Sequence, residues 1–515
     1  MLAFVRSAAI LGIDAYIVVV EVDAAAGLPA IATVGLAQSA VKEGKERVLS
    51  ALQNSGFEIP PRKITVNLAP ADVKKQGSHF DLPIACGLLA ATGQLSPDSL
   101  DRYALAGELG LDGALRPIRG ALSMAQAVLR AGRAGFIVPA ANLSEASVIE
   151  GLDVRGAGSL GDVVGFLSGS SELPSMRFDA AASLDRRPGS ALDLADVRGQ
   201  EHAKRALEIA AAGGHNVLLV GPPGGGKTML ARRLPGILPR LSLAEAIEVT
   251  RVHSVAGQLA PDQALVCRRP FRAPHHTISD AGLIGGGAVP RPGEASLAHH
   301  GVLFLDELTE FRRNVLEVLR QPLEDGRVTI GRAARSLTFP ARFVLAAAMN
   351  PCACGFLGDK RRACRCTPAI VRRYRARVSG PLLDRIDLHI EVPPVSCPDL
   401  LADGDGDSSD DVLQRVERAR RIQEERFAKR DGVFANGQMA ARDVRSLCRA
   451  DETAMSLLRA AMGRFSLSAR SFHRVLKIAR TIADLEASEV VRAAHVAEAI
   501  QYRGLDRAVD SRPSA

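Results

Sequence analysis

The chain has 515 residues, which is too many for a single hydrophobic core and predicts two to four domains. Its 47% hydrophobic and 24% charged residues are ordinary for a soluble globular protein, and the lack of any run of about 18 uncharged apolar residues argues against a membrane span. The net charge of +8 permits a polyanionic partner without establishing one, and the start of the chain lacks a signal-peptide pattern, so we expect a cytoplasmic protein.

The first segment, residues 1–168, mixes strand-like and helical runs and predicts an α+β domain. Ile64–Leu68 and Gly135–Val138 indicate strands, whereas Phe80–Ala91 indicates a buried helix. A polar stretch rich in Ser, Gly and Pro follows and predicts a linker over residues 169–195.

A glycine loop, Gly221–Thr228, follows the apolar run Asn216–Val220 and precedes a helical pattern. This order of strand, glycine loop and helix is typical of a phosphate-binding loop, whose backbone N–H groups and helix N-terminus face the anion. We expect Lys227 to neutralise phosphate charge and Thr228 to offer its hydroxyl to Mg²⁺. The alternative, a turn that binds nothing, conflicts with the spacing, the Lys-Thr pair and the flanking elements. The predicted nucleotide-binding residues are Gly221, Pro222, Pro223, Gly224, Gly225, Gly226, Lys227 and Thr228.

Two further apolar runs end in polar side chains. Gly301–Leu305 leads into Asp306, which is expected to hold Mg²⁺ through water, and Glu307, which is expected to orient and polarise the attacking water. Phe343–Met349 leads into Asn350, whose amide is expected to hydrogen-bond that water or the γ-phosphate. An acid pair alone can start a helix and an Asn alone can cap a turn. With the glycine loop upstream, we interpret all three as one nucleoside triphosphatase site.

Strands alternate with helices over residues 196–394, which predicts a parallel sheet with its ligand at the carboxyl edge. Within this region Val328–Ile330 and Ser336–Phe339 predict a β-hairpin. The connecting residues include Arg332 and Arg335, so the hairpin has a basic tip.

Four of the eight cysteines lie within the fifteen residues 352–366, and the set is Cys352, Cys354, Cys364 and Cys366. Four thiolates this close suit tetrahedral Zn²⁺ in a closed structural site. The Cys-x-Cys steps are tighter than the commonest spacing, so a loop with incidental or redox-active thiols is the alternative. Eight basic residues and no acidic one fall between Lys360 and Arg377, which favours phosphate contact over a merely solvated surface.

The last part of the chain has a helical pattern from Val412 to about Arg503 and predicts a helical domain over residues 395–505. The acidic stretch Asp403–Asp411 contains Gly and Ser and predicts a loop. Residues 506–515 predict a disordered tail.

Taken together, the motifs resemble those of the AAA+ superfamily, and nearly the whole chain resembles the magnesium-chelatase-like ComM/YifB family. The matching segments are Thr33–Leu36, Val66–Asp72, Phe271–Thr277, His300–Leu308 and Asn350–Gly355. The resemblance implies an α/β P-loop core with a parallel sheet and a helical lid, assembled as a homo-hexamer that hydrolyses ATP at its subunit interfaces.

The same resemblance gives roles to two arginines. It implies that Arg385 is an arginine finger supplied in trans, where a planar guanidinium stabilises charge on the γ-phosphate. It implies that Arg470 is the second sensor on the lid. The alternatives are a surface Arg385 paired with Asp384 or Asp387, and an ordinary helix-surface arginine at Arg470.

The family resemblance further implies a DNA motor, a ring helicase that drives branch migration in natural transformation or homologous recombination. Its expected partners are single-stranded, forked or branched DNA and recombination proteins. The hairpin with Arg332 and Arg335 is similar to the pre-sensor hairpins that line the channel of related helicases, and Arg361 and Arg362 beside the cysteines form a second expected DNA contact. The alternatives are a protein-remodelling ATPase with a partner subunit, as in magnesium chelatase, an ATP-dependent protease, and a non-enzymatic DNA-binding scaffold.

The first domain resembles the Lon protease domain, which has a ribosomal S5 domain 2-like fold. Aligned with the Lon nucleophile loop, this sequence places His79 at the catalytic serine, with Ser78 one position away, and Met124 near the required lysine. A Ser-Lys dyad needs a desolvated amine, which methionine lacks. We therefore expect a non-proteolytic scaffold or DNA-binding element.

Overall fold

The computed structural model describes residues 1–35, 39–71, 73, 75, 77–185, 192–260, 263–287, 290–332, 335–359, 362–395, 406–430, 432–465 and 468–504. The chain divides into two compact units. The first unit comprises Met1–Arg186, Ser242–Cys267 and Thr329–Phe339, and the second comprises Arg187–Leu241, Arg268–Val328 and Pro340–Ala515. Among the described residues, no helix combines the length and apolarity that crossing a bilayer requires.

The strands of the described residues form one large sheet in each unit and three two-stranded sheets. In chain order they are β1 (Leu2–Leu11), β2 (Asp14–Ala25), β3 (Ala30–Val34), β4 (Lys63–Ala69), β5 (Tyr103–Leu105), β6 (Glu108–Leu109), β7 (Leu115–Arg116), β8 (Gly135–Pro139), β9 (Asp153–Ala157), β10 (Val217–Val220), β11 (Phe271–Arg272), β12 (Gly285–Gly286), β13 (Arg291–Pro292), β14 (Val302–Leu305), β15 (Arg327–Arg332), β16 (Arg335–Pro340), β17 (Val344–Met349) and β18 (Leu388–Glu391).

The α-helices of the described residues range from single turns to five turns. In chain order they are α1 (Ser39–Asn54), α2 (Asp81–Ala91), α3 (Ala121–Arg130), α4 (Leu143–Ala146), α5 (Leu160–Leu167), α6 (Ala180–Asp185), α7 (Glu201–Gly213), α8 (Lys227–Ile237), α9 (Leu243–Ala256), α10 (Asp280–Ile284), α11 (Glu294–Leu297), α12 (Arg313–Glu317), α13 (Arg320–Asp325), α14 (Pro368–Arg375), α15 (Gly380–Leu383), α16 (Ser409–Phe427), α17 (Ala441–Leu447), α18 (Glu452–Phe465), α19 (Ala469–Leu485) and α20 (Ala493–Gln501).

The first unit is built on a mixed sheet with the strand order β3-β4-β2-β1-β5-β8-β9. The β1–β2 and β2–β4 pairs are antiparallel, and the other pairs of this sheet are parallel. Strand β2 buries Val18, Val20 and Val22 on one face, as the period of two requires. Helix α2 is buried along its whole length, which confirms the predicted buried helix. The core of this unit is mainly aliphatic.

Helix α9 belongs to the first unit although its sequence lies inside the nucleotide-core region. Arg251 donates to the Ser123 hydroxyl at 3.2 Å and to the carbonyl oxygen of Ile13 at 2.9 Å. The Ser254 hydroxyl accepts a hydrogen bond from the Gly120 N–H at 2.8 Å. These buried bonds fix α9 against α3, and we did not predict this association from the sequence.

The second unit contains a five-stranded sheet with the order β11-β14-β17-β10-β18, in which every pair is parallel. Strands β10 and β14 are continuous apolar runs, as expected for strands buried on both faces. Strands β10, β14 and β17 are neighbours, so the segments that follow them meet at the same carboxyl edge. The predicted parallel sheet is confirmed, and the predicted ligand-binding segments follow strands that end at that edge.

The helical C-terminal part begins earlier than the sequence predicts. The Ser408 hydroxyl accepts a hydrogen bond from the Asp411 N–H at 3.1 Å, and the Asp411 carboxylate accepts one from the Ser408 N–H at 3.3 Å. This capping box starts α16 at Ser409, so the predicted loop over Asp403–Asp411 is wrong at its end. The start of that stretch and the predicted tail 506–515 lie outside the described residues.

Strands β15 and β16 form a two-stranded sheet, which confirms the predicted hairpin. The hydroxyls of Thr329 and Thr338 meet across it at 3.3 Å. Residues 333–334, and the side chains of Arg332 and Arg335, lie outside the described part of the chain. The DNA contact assigned to these arginines therefore stays a prediction.

Candidate functional site

The glycine loop after β10 is closely packed by its surroundings. A Cβ atom on Gly221 would lie 2.1 Å from the carbonyl oxygen of Val392, so only glycine fits at this position. Gly224 and Gly226 have φ angles of 76° and 87°, in the left-handed region that glycine adopts without strain. The loop thus has the tight backbone curvature that turns N–H groups toward an anion.

Lys227 opens helix α8 and is only 9% exposed. Its ammonium donates to the carbonyl oxygens of Gly221 at 2.8 Å and Pro222 at 2.9 Å, and to Asn350 Oδ1 at 3.3 Å. Burial lowers the pKa of Lys227, while the charges of Asp306 and Glu307 oppose that effect. The ammonium therefore lies over the loop, where an anionic ligand would replace these carbonyl oxygens as its hydrogen-bond partner.

The side chains of Thr228 and Asp306 meet across the loop. The Thr228 hydroxyl donates to Asp306 Oδ2 at 2.7 Å, and Asp306 Oδ1 accepts the N–H of Glu307 at 2.9 Å. A hydroxyl and a carboxylate are hard oxygen ligands of the kind that Mg²⁺ prefers beside phosphates. These two groups therefore fit the predicted magnesium site.

Glu307 has φ 51° and ψ 48°, a left-handed conformation that non-glycine residues rarely adopt. Such strain persists where the surrounding structure over-determines it, and it clusters at functional sites. The Glu307 side chain is 61% exposed, and its Oε2 lies 3.5 Å from His276 Nδ1. The carboxylate thus faces the open side of the loop. His276, which lies beside it, was not singled out from the sequence.

These groups line one cleft of about 520 Å³ in the second unit, within the range of sites that bind ligands of nucleotide size. The structure therefore brings together the predicted loop, the two carboxylates and Asn350. The lining residues are Pro223, Gly224, Gly225, Gly226, Lys227, Thr228, Met229, Asp306, Glu307, Met349 and Asn350.

Arg385 has its described contacts away from these cleft-lining residues. Its guanidinium contacts the Glu324 carboxylate and donates to the Pro381 carbonyl oxygen at 2.5 Å, and the side chain is 13% exposed. The Asn216 amide donates to the Arg385 carbonyl oxygen at 2.8 Å and thereby fixes the backbone at this point. The alternative ion pairs with Asp384 or Asp387 are not the ones that the structure describes for Arg385.

Arg470 lies near the start of helix α19 and is 73% exposed. Its guanidinium lies 3.5 Å from the Asp384 carboxylate, and Arg474 on the next turn lies 3.5 Å from Asp387. Asp387 is buried, which raises its pKa, but the hydrogen bond and charge of His215, together with the charges of Lys477 and Arg474, lower the pKa to about 2. Charged contacts therefore join the α15–β18 segment to helix α19, which carries Arg470.

The four predicted cysteines form a compact cluster. The Sγ–Sγ distances are 3.4 Å for Cys352–Cys354, 3.7 Å for Cys352–Cys364 and 3.6 Å for Cys354–Cys364. With Cys366 included, all four sulfur atoms lie within 4.8 Å of one another. A tetrahedron with Zn–S bonds of about 2.3 Å has edges of about 3.8 Å, so the spacing fits a metal. Hydrogen bonds from the backbone N–H groups of Phe356 and Arg365 lower the pKa of the Cys354 thiol to about 6.

A set of exposed arginines lies among and after the four cysteines. Arg362 stacks over the Phe356 ring at 5.2 Å, and Arg361 lies outside the described residues. The exposed members are Arg362, Arg365, Arg372, Arg373 and Arg377. A basic surface is therefore present beside the cluster, and its contact with DNA stays a prediction.

In the first unit, the positions aligned with the Lon dyad lie in the interior. His79 is 8% exposed, and burial lowers its pKa to about 4. Met124 is fully buried. The Ser78 hydroxyl contacts the Glu108 carboxylate. The contacts described for Ser78 thus provide a carboxylate and no amine that would activate its hydroxyl.

Comparison with known protein families matches three models along the chain. "Subunit ChlI of Mg-chelatase" matches residues 20–142, "Magnesium chelatase, subunit ChlI" matches residues 193–400, and "Magnesium chelatase, subunit ChlI C-terminal" matches residues 406–503. The matches therefore extend over both units.

Individual proteins are also similar to this chain. It is 45% identical over 508 residues to the protein YifB of Escherichia coli, which covers 98% of each chain. It is 44% identical over 509 residues to the competence protein ComM of Haemophilus influenzae, again with 98% of each chain covered. A segment of 174 residues is 29% identical to the magnesium-chelatase 38 kDa subunit of Rhodobacter capsulatus, covering 30% of this chain and 49% of that subunit.

Proposed function

The chain belongs to the magnesium-chelatase-like ComM/YifB family, and from this membership and the cleft geometry we propose that it is an AAA+ ATPase that drives a DNA motor. One observation carries the ATPase proposal. Lys227, the Thr228–Asp306 pair, Glu307 and Asn350 converge in one cleft at the carboxyl edge of a parallel sheet. This set contains each group that phosphoryl transfer to water requires from a single subunit.

The proposed roles follow from the positions. Lys227 binds the β- and γ-phosphates, and Thr228 with Asp306 holds Mg²⁺, whose charge, when bound, offsets the phosphate charge. Glu307 orients the attacking water and takes its proton, because its carboxylate is exposed on the open side of the loop. Asn350 holds the Lys227 ammonium in place through its side-chain oxygen.

For the assembly, we propose a homo-hexamer in which Arg385 acts on the nucleotide of a neighbouring subunit and Arg470 acts from the lid. Within the described part of the chain, the Arg385 guanidinium contacts Glu324 and Pro381 rather than the cleft-lining residues, which supports a target on a neighbouring subunit. In this proposal, assembly draws the guanidinium from Glu324 to the neighbour's γ-phosphate.

We expect Arg385→Ala protein to lose most ATP turnover while it still binds ATP, and to regain turnover when mixed with Lys227→Ala protein. In a ring mixed one to one at random, about a quarter of the sites combine an intact Lys227 with a neighbouring Arg385. The measurement is steady-state ATP hydrolysis of each variant and of the mixture, with ring assembly followed by mass photometry. No recovery in mixed rings would show that Arg385 does not act in trans.

The DNA part of the proposal rests on the charge of the protein and on its sequence similarity to a competence protein. The net charge is +8, exposed arginines lie among and after the four cysteines, and a relative 44% identical over nearly its whole length is named a competence protein. We propose branched, forked or single-stranded DNA as the partner, with helicase or branch-migration activity in natural transformation or homologous recombination in the cytoplasm. The hairpin arginines Arg332 and Arg335 and the module arginines Arg361 and Arg362 are the proposed contacts.

The test is ATP turnover with and without forked or Holliday-junction DNA, alongside displacement of a labelled strand. We expect DNA to stimulate turnover, strand displacement to require ATP, and DNA binding to weaken steeply as salt rises. Lys227→Ala protein serves as the control without turnover. A rate of ATP turnover that does not change when DNA is added would contradict the proposed DNA motor.

Indifference to DNA would instead support the second candidate, a remodelling ATPase that acts with a partner subunit. The three matches to magnesium chelatase subunit ChlI favour this candidate. It predicts that turnover responds to an added protein partner and that DNA leaves the rate unchanged.

We also propose that Cys352, Cys354, Cys364 and Cys366 bind a structural Zn²⁺, supported by the sulfur spacing. For the N-terminal region we propose a Lon-like domain over residues 1–168 without protease activity, supported by the buried His79 and Met124. The remaining proposed boundaries are a linker at 169–195, the ATPase core at 196–394 and the lid at 395–505.

A further inference from the structure

The segment 350–377, here called the cysteine module, connects two catalytic segments of the cleft. We infer that metal bound at its four cysteines holds Asn350 and Tyr374 in position and thereby sets the rate of ATP turnover. The module is then a positioning device, and this inference rests on the proposed ATPase function. No motif or spacing in the sequence assigns a role to Tyr374 or to its partner Thr309.

The first link joins the module to the glycine loop. Cys352 follows Asn350 by two residues and is fully buried, and its carbonyl oxygen accepts the Gly355 N–H at 3.0 Å. Gly355 has φ 86°, and a Cβ atom there would lie 2.8 Å from Pro223 Cδ. The turn that carries the first two thiols therefore packs directly on the phosphate-binding loop, and its glycine has no room for a side chain.

The second link joins the module to the segment after Glu307. Helix α14 begins two residues after Cys366 and carries Tyr374, which is 8% exposed. The Thr309 hydroxyl donates to the Tyr374 hydroxyl at 2.7 Å, and the backbone of Asn350 hydrogen-bonds to the same oxygen. One phenol group thus connects Asn350 to the turn that follows the proposed catalytic glutamate.

Two arginines strengthen this connection. Arg375 donates to the Pro351 carbonyl oxygen at 3.3 Å, and Arg377 forms an ion pair with Glu310 at 3.0 Å. Asn350 is itself 3.3 Å from the Lys227 ammonium. The module, which itself begins directly after β17, consequently contacts both the glycine loop and the segment after β14.

The metal matters because the part of the module that carries the cysteines has no regular secondary structure among its described residues. Residues 352–359 and 362–366 contain no helix or strand, so this loop lacks the repeated backbone hydrogen bonding that orders such an element. Four metal–sulfur bonds would close this loop, and the free energy of metal binding would become free energy of ordering. Loss of the metal would then release Asn350 and Tyr374, and a displacement of about 1 Å at a catalytic group can cost about 100-fold in rate.

The position of the glycine loop, and with it the binding of nucleotide, does not depend on the module alone. Gly221 and Gly225 also pack against the carbonyl oxygen of Val392, at the end of β18. We therefore expect loss of the metal to lower kcat much more than it weakens ATP binding.

The experiment compares the full-length wild type with three variants under reducing conditions. Cys364→Ser removes one sulfur ligand, Tyr374→Phe removes only the bridging hydroxyl, and Cys267→Ser is the matched control, because its thiol lies in the first unit. The readouts are zinc per chain by elemental analysis, kcat, binding of a fluorescent ATP analogue, and hydrogen exchange of peptides covering residues 302–310 and 344–356.

We expect about one zinc per chain in every protein except Cys364→Ser. In both Cys364→Ser and Tyr374→Phe, kcat should fall by about tenfold or more, with nucleotide affinity within about threefold of wild type. Added zinc should restore kcat to chelator-treated wild type and leave Tyr374→Phe impaired. In Cys364→Ser, the 302–310 peptide, which contains no cysteine, should exchange faster.

Wild-type protein without bound metal, or unchanged exchange at residues 302–310 in Cys364→Ser, would overturn the inference. An unchanged kcat in Tyr374→Phe would also overturn it. A wild type that hydrolyses no ATP refutes the proposed function instead, and the exchange result then decides the metal coupling by itself.

Discussion

Replacing Glu307 by Gln should lower kcat for ATP hydrolysis by at least about 100-fold, because a positioned general base typically contributes 10²- to 10⁴-fold. Glutamine keeps the shape of the side chain but cannot accept the proton of the attacking water. ATP binding should stay within about threefold of wild type, since Lys227, Thr228 and Asp306 are unchanged. Steady-state hydrolysis and equilibrium binding of a fluorescent ATP analogue measure the two effects separately.

The matched control for this variant is Glu317→Gln, on helix α12. Glu317 forms an ion pair with Arg320 at 3.0 Å and does not line the cleft. The same chemical change there should alter kcat by less than about twofold. Near-normal turnover in Glu307→Gln would mean that another group activates the water and that the assignment of Glu307 is wrong.

Replacing Lys227 by Ala should weaken ATP binding itself. Removing one partner of a buried charged contact costs about 2–5 kcal/mol, which corresponds to about 30- to 4,000-fold in affinity. The ammonium is buried and already faces loop carbonyl oxygens, so water cannot easily take its place. Turnover and any DNA-dependent activity should be lost together, in contrast to Glu307→Gln, which should bind ATP and stall.

Lys204→Ala is the control for removing a buried lysine. Lys204 is 6% exposed and pairs with Glu201 at 3.0 Å on helix α7, so it matches Lys227 in burial but lies outside the cleft. Thermal unfolding of both variants shows whether either has lost stability. Nucleotide affinity in Lys227→Ala equal to that of Lys204→Ala would contradict the role of Lys227.

The cleft could be predicted from the sequence because each part is local in the chain. The glycine loop, the Asp306–Glu307 pair and Asn350 each follow an apolar run, and parallel strands place their carboxyl ends at one edge. The four cysteines were predictable for the same reason, since they lie within fifteen residues. The order of the strands in the sheet was the one feature of the cleft that these local patterns did not predict.

Other contacts were not predictable, because they join residues that are distant in the chain and chemically ordinary. Glu324 lies 61 positions from Arg385, and Thr309 lies 65 positions from Tyr374. Many acidic residues could pair with Arg385, and hydroxyl pairs leave no periodic signal. His276 lay in a segment that we used only for family resemblance. Its approach to Glu307 depends on the path of an irregular insertion, which sequence patterns do not specify.

Each of the two units is built from several separate stretches of the chain, and this determines how proteolysis or truncation would affect the protein. The chain passes from one unit to the other at five points, near residues 186, 241, 267, 328 and 339. A single protease cut in the stretch after residue 185 therefore leaves two fragments that stay associated through noncovalent contacts, because α9, on the second fragment, packs within the first unit. A truncation that removes residues 1–186 would leave α9 without α3, and would open its buried Ala246, Val249 and Val252 to water. Such a fragment would aggregate, and failure of a truncated protein to act would then report misfolding and not the role of the missing domain.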